Sequence, residues 1–294
     1  MRVCRLEHEG EIRAGFYRDD RVDLFPEASD DLLPFLPGGS RFEQAAACSE
    51  KRDLTSVPVS AIRLLVPIPR PNKLFLLAGN YAKHIEEGGD IAVERAETFP
   101  YVFMKPPSTT LTDPGAPVII PRSSPNHIDW ELELGVVIGK GGKHITEADA
   151  LNHVAGYTIF NDISDRGYRP NPDRKERPRD AFFDWLHGKW HDSSCPSGPC
   201  IASAHTLTDP QKLDMQLRVN GDLKQDASTA QQIFPVAAVI EFISQTTTLE
   251  PGDMISTGTA AGVGNTTKTY LKPGDLIEAT IESIGTLASP VEAE

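Results

Sequence analysis

Two glutamates separated by a single residue are the strongest chemical signal in the chain. Glu131 and Glu133 lie in the run DWELELGVVIGK, whose apolar, β-branched tail predicts a strand. Residues two apart on a strand point to the same side, so both carboxylates would face one point. Neighbouring carboxylates repel each other unless a proton or cation lies between them, and oxygen ligands suit Mg²⁺, Ca²⁺ or Mn²⁺. A strand with one polar face in water explains the same pattern.

His84 and Glu87 form a second candidate pair. Three residues apart, they can touch on one helical turn. A carboxylate that holds an imidazole fixes its tautomer and raises its basicity, which prepares a general base. The start of an ordinary surface helix has the same spacing, so the pair by itself leaves both interpretations open.

Polar residues also stand where other predicted strands end. Asp162 follows the apolar run 154–160 and could be a third oxygen ligand for the cation, although an Asx turn explains it equally well. Lys189 is either a catalytic cation or a solvated surface lysine. The Gly-rich segment 256–264 follows a strand but lacks the Gly-Lys-Ser/Thr ending of a phosphate-binding loop.

The composition describes an ordinary globular protein and argues against some partners. The chain has 294 residues, of which 39% are hydrophobic and 24% charged, with a net charge of -13. Without a long Lys/Arg run, this charge disfavours nucleic acid and anionic membranes as partners. The sequence shows neither a run of about eighteen apolar residues nor a signal-peptide core, so a cytoplasmic location is expected.

The cysteines do not suggest a disulfide framework. There are four of them in a long chain, at positions 4, 48, 195 and 200. A zinc site from His187, His191, Cys195 and Cys200 is conceivable, but usual zinc fingers place the cysteine pair first and closer together. Reduced structural thiols are therefore the preferred interpretation.

The arrangement of predicted elements indicates a β-rich α+β protein with two domains. Short strands and one helix near 41–49 precede Pro67, Pro69 and Pro71, which predict a linker and a boundary between domains 1–70 and 71–294. Beyond it, strands are predicted at 74–78, 102–105, 118–121, 154–160 and 213–219, after each Pro-Gly-Asp turn (251–253 and 273–275), and a helix at 234–245. Asn220-Gly221 predicts a two-residue hairpin. There is no βαβ rhythm, which leaves an antiparallel or mixed sheet body.

Taken together and in order, these segments resemble the fumarylacetoacetate hydrolase family from about residue 72 to 291. The resemblance rests on the Asn-Tyr-x-x-His-x-x-Glu element at 80–87, the FMKPP run at 103–107, the Glu-x-Glu strand, the Gly-Tyr-Thr and Asn-Asp of 156–162, and the Val-Asn-Gly of 219–221. The Leu-Glu-Pro-Gly-Asp of 249–253, the Thr-Gly-Thr of 257–259 and the Ile-Gly-Thr-Leu of 284–287 complete it.

The resemblance implies a mixed β-sandwich roll catalytic domain behind a small N-terminal domain, usually in a homodimer. It implies Mg²⁺, or Mn²⁺ or Ca²⁺ in its place, held by Glu131, Glu133 and Asp162. It assigns catalytic roles to His84, Glu87 and Lys189, and a substrate contact to Thr259; Tyr81, Arg166 and Arg169 are further predicted substrate contacts. The predicted substrate is a small 2-oxo acid.

The expected reaction is metal-dependent hydrolysis of a C–C bond in a β-diketo or 2-oxo acid of the acylpyruvate or fumarylpyruvate type, as in aromatic catabolism. Enolisation of the same 2-oxo acids would also serve an isomerase, tautomerase or decarboxylase, for example on oxaloacetate or a hydroxymuconate-like compound.

The sequence departs from the family pattern after Asp162. Arg166 is retained, but Arg169 stands where relatives usually have Gln, and Ala260 stands where many have Pro. The charged, Pro-rich segment 169–184 predicts a mobile lid, whose arginines could bind a second substrate carboxylate. A solvated charged loop fits that composition equally well.

Overall fold

The computed structural model describes residues 1–51 and 53–294. The nineteen strands of these residues are β1 Arg2–His8, β2 Glu11–Tyr17, β3 Arg21–Leu24, β4 Ser56–Pro58, β5 Arg63–Leu65, β6 Leu74–Ala78, β7 Tyr101–Met104, β8 Leu111–Thr112, β9 Val118–Ile120, β10 Ile128–Asp129, β11 Leu132–Ile138, β12 Val154–Asn161, β13 Ser164–Asp165, β14 Cys195–Ser203, β15 Asp214–Val219, β16 Asp222–Ser228, β17 Met254–Thr259, β18 Leu276–Ile281 and β19 Gly285–Ala293. The α-helices are α1 Phe42–Ser49, α2 Ala82–Glu87, α3 Pro107–Thr110, α4 Asp180–His187, α5 Val236–Thr246 and α6 Gly264–Thr267. Short 3-10 turns lie at Leu33–Phe35, Val59–Ala61, Arg95–Glu97, Glu147–His153 and Thr229–Gln231.

A large mixed sheet runs through both predicted domains. Its main order is β4-β3-β2-β1-β14-β12-β11-β17-β6-β7, with β5 on β1 and β8 on β14. The first strand of the chain pairs with β14, so that Val3 lies opposite Ile201. The strands before residue 70 therefore continue a sheet of the body that follows, and the two-domain division remains a prediction.

A second sheet of five strands forms the other main layer, in the order β16-β15-β18-β19-β9. Its first hairpin turns at Asn220 and Gly221, whose φ angles of 53° and 84° confirm the predicted positive-φ turn. Both strands that were expected after the Pro-Gly-Asp turns are present, as β17 and β18.

β11 carries Glu133 but begins one residue after Glu131, so only the second glutamate of the motif lies on the predicted strand. This strand is buried on both faces. Leu132, Leu134 and Val136 belong to one hydrophobic cluster, whereas Val137 belongs to another on the opposite side. A near-continuous apolar run is what such a doubly covered strand needs. The water-facing alternative for this strand is thereby excluded, because Glu133 is fully buried among these layers.

The β-rich α+β fold is confirmed, and most predicted elements lie within one or two residues of their expected bounds. The long helix begins at Val236 rather than at residue 234, since Pro235 precedes it with an extended backbone. Among the described residues, no helix is long and apolar enough to cross a membrane.

Candidate active site

Three acidic side chains meet at the point where β11 and β12 run side by side. One carboxylate oxygen each from Glu131, Glu133 and Asp162 lies within 4.8 Å of the others, and all three residues are buried. Glu131 lies in the break between β10 and β11, where its backbone N–H donates to Asn161 Oδ1 (2.9 Å) and its carbonyl accepts from the Asp162 N–H (2.8 Å). These bonds hold the third carboxylate beside the Glu-x-Glu pair.

Glu133 has one oxygen fixed by the protein and one left over. Its Oε2 accepts hydrogen bonds from the Ser256 hydroxyl (2.6 Å) and the Gly258 N–H (2.7 Å), both on β17. Its Oε1 is buried and finds no hydrogen-bond partner among the described residues. Such an atom is costly unless a ligand satisfies it, so it fits a cation held by hard oxygen ligands.

Two lysines are buried beside the carboxylates. Lys189 Nζ donates to Glu131 Oε2 (2.7 Å) and Asp162 Oδ2 (2.6 Å), which leaves one of its three N–H groups free of these contacts. Lys105 Nζ donates to Asp162 Oδ1, to the Ile163 carbonyl and to the Ser194 carbonyl. All three Lys105 donors are therefore engaged, and this side chain fixes the position of Asp162.

Arg166 and Asp129 complete the charged cluster. The Arg166 guanidinium donates from Nε to Asp129 Oδ2 (2.9 Å) and from Nη2 to Glu131 Oε1. With the two lysines, the cluster holds three fixed cations against four carboxylates, which are those of Asp129, Glu131, Glu133 and Asp162. A divalent cation would reverse this excess of negative charge and leave room for an anionic ligand.

The environments of the two glutamates push their pKa values apart. Burial alone would raise the pKa of Glu131, but the Lys189 ammonium and the Arg166 guanidinium hold it below its ordinary value. The pKa of Glu133 is raised by burial and then by the charges of Asp162 and Glu131. Among the described residues, Glu133 is thus the carboxylate of the trio that has no lysine or arginine as a hydrogen-bond partner.

The predicted His-Glu pair is present at the end of α2. His84 Nδ1 lies 2.8 Å from Glu87 Oε1, and because a carboxylate only accepts, Nδ1 carries the proton and Nε2 is left as the base. Glu87 Oε2 in turn accepts the Gly262 N–H at 3.0 Å. The dyad is therefore fixed by the loop that follows β17.

A cavity of about 600 Å³ opens beside the dyad. Its lining includes His84, Glu87 and Arg166, so it connects the base with a cation that contacts Glu131. This volume suits a small organic acid.

The structure does not bring every predicted substrate contact to this cavity. Tyr81 is buried, with its hydroxyl 3.4 Å from Met215 Sδ, and burial raises its pKa. The Thr259 hydroxyl donates to the Leu132 carbonyl at 2.9 Å. Arg169 pairs with Glu176 at 2.8 Å. Neither Tyr81, Thr259 nor Arg169 is among the residues that line the cavity, whereas Arg166 is.

The predicted lid segment is partly helical. Its C-terminal part belongs to α4, and Arg174 forms ion pairs with both Asp180 and Asp184 on that helix. Arg177 also contacts Asp180, at 2.9 Å. The segment is therefore more ordered by internal charge pairs than its Pro-rich composition suggests; its role as a lid stays a prediction.

Sequence reasoning missed four positioning residues. Asp129 and Lys105 lie inside motifs that were recognised, but their charge partners are distant in sequence. Gln225 accepts from the Leu132 N–H and donates to Thr259 Oγ1, both at 2.9 Å, which ties the second sheet to the site. Asn80 Nδ2 donates to the Phe234 carbonyl (3.0 Å) and the Thr257 carbonyl (2.8 Å), which anchors the turn before α2. Lys105 follows the apolar run 102–104, which was the available signal for it, whereas Gln225 stands between Lys224 and Asp226 and no local pattern marks it.

The cysteine side chains agree with the interpretation as reduced structural thiols that the sequence favours. All four cysteines are free and buried. His191, which could have joined a zinc site, instead places Nε2 2.9 Å from Asp165 Oδ2. In the described part of the chain, the acidic trio is the one group of three or more side chains arranged to hold a metal.

The chain is similar to known proteins over most of its length. The family model described as "Fumarylacetoacetate (FAA) hydrolase C-terminal" matches residues 73–292. The chain is 40% identical to a 2,4-didehydro-3-deoxy-L-rhamnonate hydrolase of a Sphingomonas strain, over 97% of this chain and 94% of that protein. It is 37% identical to a mitochondrial oxaloacetate tautomerase of Xenopus laevis, over 92% and 82%.

A solved relative shows the fold with ligands bound. The maleylpyruvate hydrolase of Sphingobium sp. SYK-6, in complex with manganese(II) and pyruvate, superimposes with a TM-score of 0.77 at 28% identity, covering 100% of this chain and 99% of that one. The chain belongs to the fumarylacetoacetate hydrolase family, whose members among these relatives are enzymes that include both hydrolases and tautomerases.

Proposed function

We propose that this protein is a divalent-cation-dependent hydrolase that cleaves a C–C bond in a 2,4-dioxo acid. The observation that carries the proposal is the unpartnered Oε1 of Glu133, within an acidic trio whose Glu131 is joined through Arg166 to the cavity of the His84–Glu87 dyad. Two relatives are hydrolases of oxo acids, and one of these was solved with manganese and pyruvate. Mg²⁺ and Mn²⁺ are both suited to the three carboxylates.

Glu131, Glu133 and Asp162 would hold the cation. When bound, it supplies Lewis-acid polarisation and a template for the substrate's oxygen atoms. Lys105 keeps Asp162 in place, and Ser256 with Gly258 keeps Glu133 in place. These contacts prearrange the ligands before a substrate arrives.

The dyad is suited to move the protons of hydrolysis. His84 Nε2 accepts a proton from water as the water oxygen bonds to the C4 carbonyl carbon of the substrate. Breaking the C3–C4 bond then gives a carboxylic acid and the enolate of a 2-oxo acid, and His84 returns the proton to C3. Glu87 stabilises the transient imidazolium through the 2.8 Å contact.

The remaining N–H of Lys189 is the candidate donor to the oxyanion at C4. The two carboxylates that it contacts more than offset the effect of burial and keep its pKa above the ordinary lysine value. Lys189 therefore stays an ammonium group at neutral pH and serves as a fixed positive charge rather than a base.

Keto–enol tautomerisation is the second candidate function. It is favoured by the oxaloacetate tautomerase relative at 37% identity, and it needs the same proton transfer at C3 without attack by water. Decarboxylation remains an alternative on the same scaffold.

A metal-dependence assay separates these functions. Protein stripped with EDTA and then supplied with Mg²⁺ or Mn²⁺ is given acetylpyruvate, fumarylpyruvate and oxaloacetate, and the products are followed by mass and by the enol absorbance. Pyruvate plus a free acid, formed only with metal, supports the hydrolase. Enol–keto exchange of oxaloacetate without cleavage of either diketo acid would reject it in favour of the tautomerase.

His84→Ala should lower kcat by at least about a hundredfold, because general-base catalysis of this kind contributes about 10²–10⁴. Mn²⁺ affinity, measured by calorimetry, should change little, since His84 is not among the acidic ligands. The matched control is His144→Ala, which removes an exposed histidine that contacts Gln245. Retained activity in His84→Ala, or loss of Mn²⁺ binding, would place His84 in a different role.

A further inference from the structure

We propose, building on the function above, that the substrate carries a single carboxylate and that the portion beyond its C4 carbonyl is uncharged. The proposal rests on how charges and apolar side chains are distributed around the cavity. Arg166 and Asn265, which both contact Asp129, line one part of the cavity. Mostly apolar residues of the segment 90–101 line another part, called the outer wall here.

The part of the cavity that Arg166 lines can accept one carboxylate. Apart from His84, Arg166 is the one basic side chain that lines the cavity in the described part of the chain. Its Nε and Nη2 are already engaged by Asp129 and Glu131. Asn265 lies in the same part, with its backbone N–H 3.0 Å from Asp129 Oδ2. Arg166 Nη1 makes no hydrogen bond among the described residues, so it is the donor left for a carboxylate next to the 2-oxo group.

The outer wall of the cavity is apolar and exposed. It is formed by the segment 90–101, in which the side chains of Ile91, Val93, Phe99 and Tyr101 are 87%, 42%, 58% and 64% exposed. Phe99 stacks on Phe242, with ring centroids 6.2 Å apart. Such a wall gains free energy when it packs against an uncharged chain, and among the described residues it offers a carboxylate no basic side chain, only the hydroxyl groups of Thr98 and Tyr101.

The one charged residue that this segment adds to the lining is acidic. Asp90 lies beside Ile91 on the wall, and Glu87 lines the cavity nearby. A second carboxylate on the substrate would meet these like charges. Neutral hydroxyl groups on the substrate would instead donate hydrogen bonds to these carboxylates.

The basic residues of the segment 169–184 do not change this balance. Arg169 pairs with Glu176, and Arg174 pairs with Asp180. No residue of that segment lines the cavity among the residues that the structure describes. These pairings do not favour the predicted second carboxylate-binding site on this segment, and in the described part of the chain the wall at 90–101 adds no basic side chain to the lining either.

The test is a comparison of two acids that differ at one end and cannot be cleaved. Calorimetry on the Mg²⁺-saturated protein measures Kd for 2-oxoheptanoate and for 2-oxoheptanedioate, in which a carboxylate replaces the terminal methyl group. We expect the monoacid to bind at least about tenfold more tightly, which is the scale of one like-charge contact near a protein surface. Equal or tighter binding of the diacid, or binding of neither, overturns the proposal.

Charge reversal on the wall provides the gain-of-binding arm. Asp90→Lys should tighten diacid binding about tenfold and leave the monoacid nearly unchanged. Glu94→Lys, which makes the same charge change in the same exposed segment outside the lining, is the matched control and should alter neither Kd. An equal effect of both variants would show a general charge effect and overturn the proposal.

Turnover is measured separately, with 2,4-dioxoheptanoate and 2,4-dioxoheptanedioate. A binding preference for the monoacid without any cleavage would reject the hydrolase and retain the uncharged wall. Cleavage of both diketo acids with equal kcat/KM would support the hydrolase and reject the wall's selectivity.

Discussion

At the scale of single residues, the site is built around charges that the protein neutralises unevenly. Glu131 and Asp162 have lysine or arginine partners at hydrogen-bond distance, whereas Glu133 is bonded only to a hydroxyl and a backbone N–H. The acidic trio thus includes one carboxylate that a bound cation would stabilise. If the proposed metal site is correct, stability without metal and affinity for metal conflict at this residue.

Replacing Glu133 by Gln should therefore have opposite effects on stability and on binding. Without metal, removing the repulsion from Glu131 and Asp162 should raise the free energy of unfolding by about 1 kcal/mol, the scale of one pKa unit. Mn²⁺ affinity should fall at least about tenfold, because one anionic ligand is lost. Urea unfolding in EDTA and Mn²⁺ calorimetry measure the two quantities. A metal-free variant less stable than the wild type would contradict this account.

At the scale of elements, the end of β17 and the loop after it connect the predicted metal ligand Glu133 with the His84–Glu87 dyad. Gly258 donates to Glu133, and four residues later Gly262 donates to Glu87. Both glycines have positive φ, 89° and 104°. One segment of backbone therefore positions a predicted metal ligand and the carboxylate that contacts His84, the predicted general base.

Gly262→Ala should damage both stability and catalysis. An added Cβ would lie 2.1 Å from the Lys224 carbonyl oxygen, so the backbone must shift and the bond to Glu87 must lengthen. We expect a loss of about 3 kcal/mol in the free energy of unfolding, on the scale of a strained backbone position with a clash. kcat should fall at least about tenfold.

The control for this substitution is Gly274→Ala. Gly274 also has a positive φ, of 94°, but nothing lies within 4 Å of its added Cβ. It should lose only about 1 kcal/mol from backbone strain and keep full activity. Equal activity losses in the two variants would show that the Gly262 contact with Glu87 does not matter.

At the scale of the whole molecule, the N-terminal strands complete the main sheet. β1 pairs with β14, which lies next to β12, and β12 pairs with β11, the strand that carries Glu133. Phe16, Phe25 and Phe35 of the N-terminal part pack in the same hydrophobic cluster as Val137. The two predicted domains therefore share both a sheet and a core.

A chain truncated to residues 71–294 should fail to fold stably. Removing β1 exposes an edge of β14 and strips one face of the second hydrophobic cluster. Size-exclusion chromatography and limited proteolysis should show aggregation and rapid cleavage. A monodisperse, protease-resistant fragment would instead establish 71–294 as an autonomous domain.

The buried thiols make stability fall in alkaline solution. Burial raises the pKa of Cys195 and of Cys200 to about 12, and that of Cys4 well above its usual range. An unfolded thiol titrates near pH 8.5. Between that pH and 12, these thiols lose their protons in the unfolded state but keep them in the native state. The free energy of unfolding should therefore decline as the pH rises. At pH 10 the loss is about 2 kcal/mol per thiol.

Urea unfolding at pH 8, 9 and 10 measures this decline. Cys200→Ala should reduce its slope by about one third, since it removes one of three comparable thiols. The cysteines of the native protein should also fail to react with thiol reagents at pH 8. A free energy of unfolding that is unchanged between pH 8 and pH 10 would contradict the assignment of raised thiol pKa values.

The sequence by itself determined the features that depend on local period and order. The two-residue spacing of Glu131 and Glu133 predicted that their carboxylates converge, which they do although Glu131 lies in the break before β11. The spacing of His84 and Glu87 predicted their contact on one helical turn. The hairpin at Asn220 followed from backbone preferences of two residues. These properties are encoded within a few residues, so they can be inferred without knowing what packs against them.

Only the tertiary structure decided which charges meet and what the cavity presents. Lys105 reaches Asp162 across 57 positions of sequence, and Tyr81, which lies in a recognised motif, points into the core against Met215. The segment around Phe99 lines the cavity because of the residues that pack around it, and its own sequence does not predict this position. Burial and long-range pairing arise from how the two sheets pack, and local sequence patterns do not contain that information.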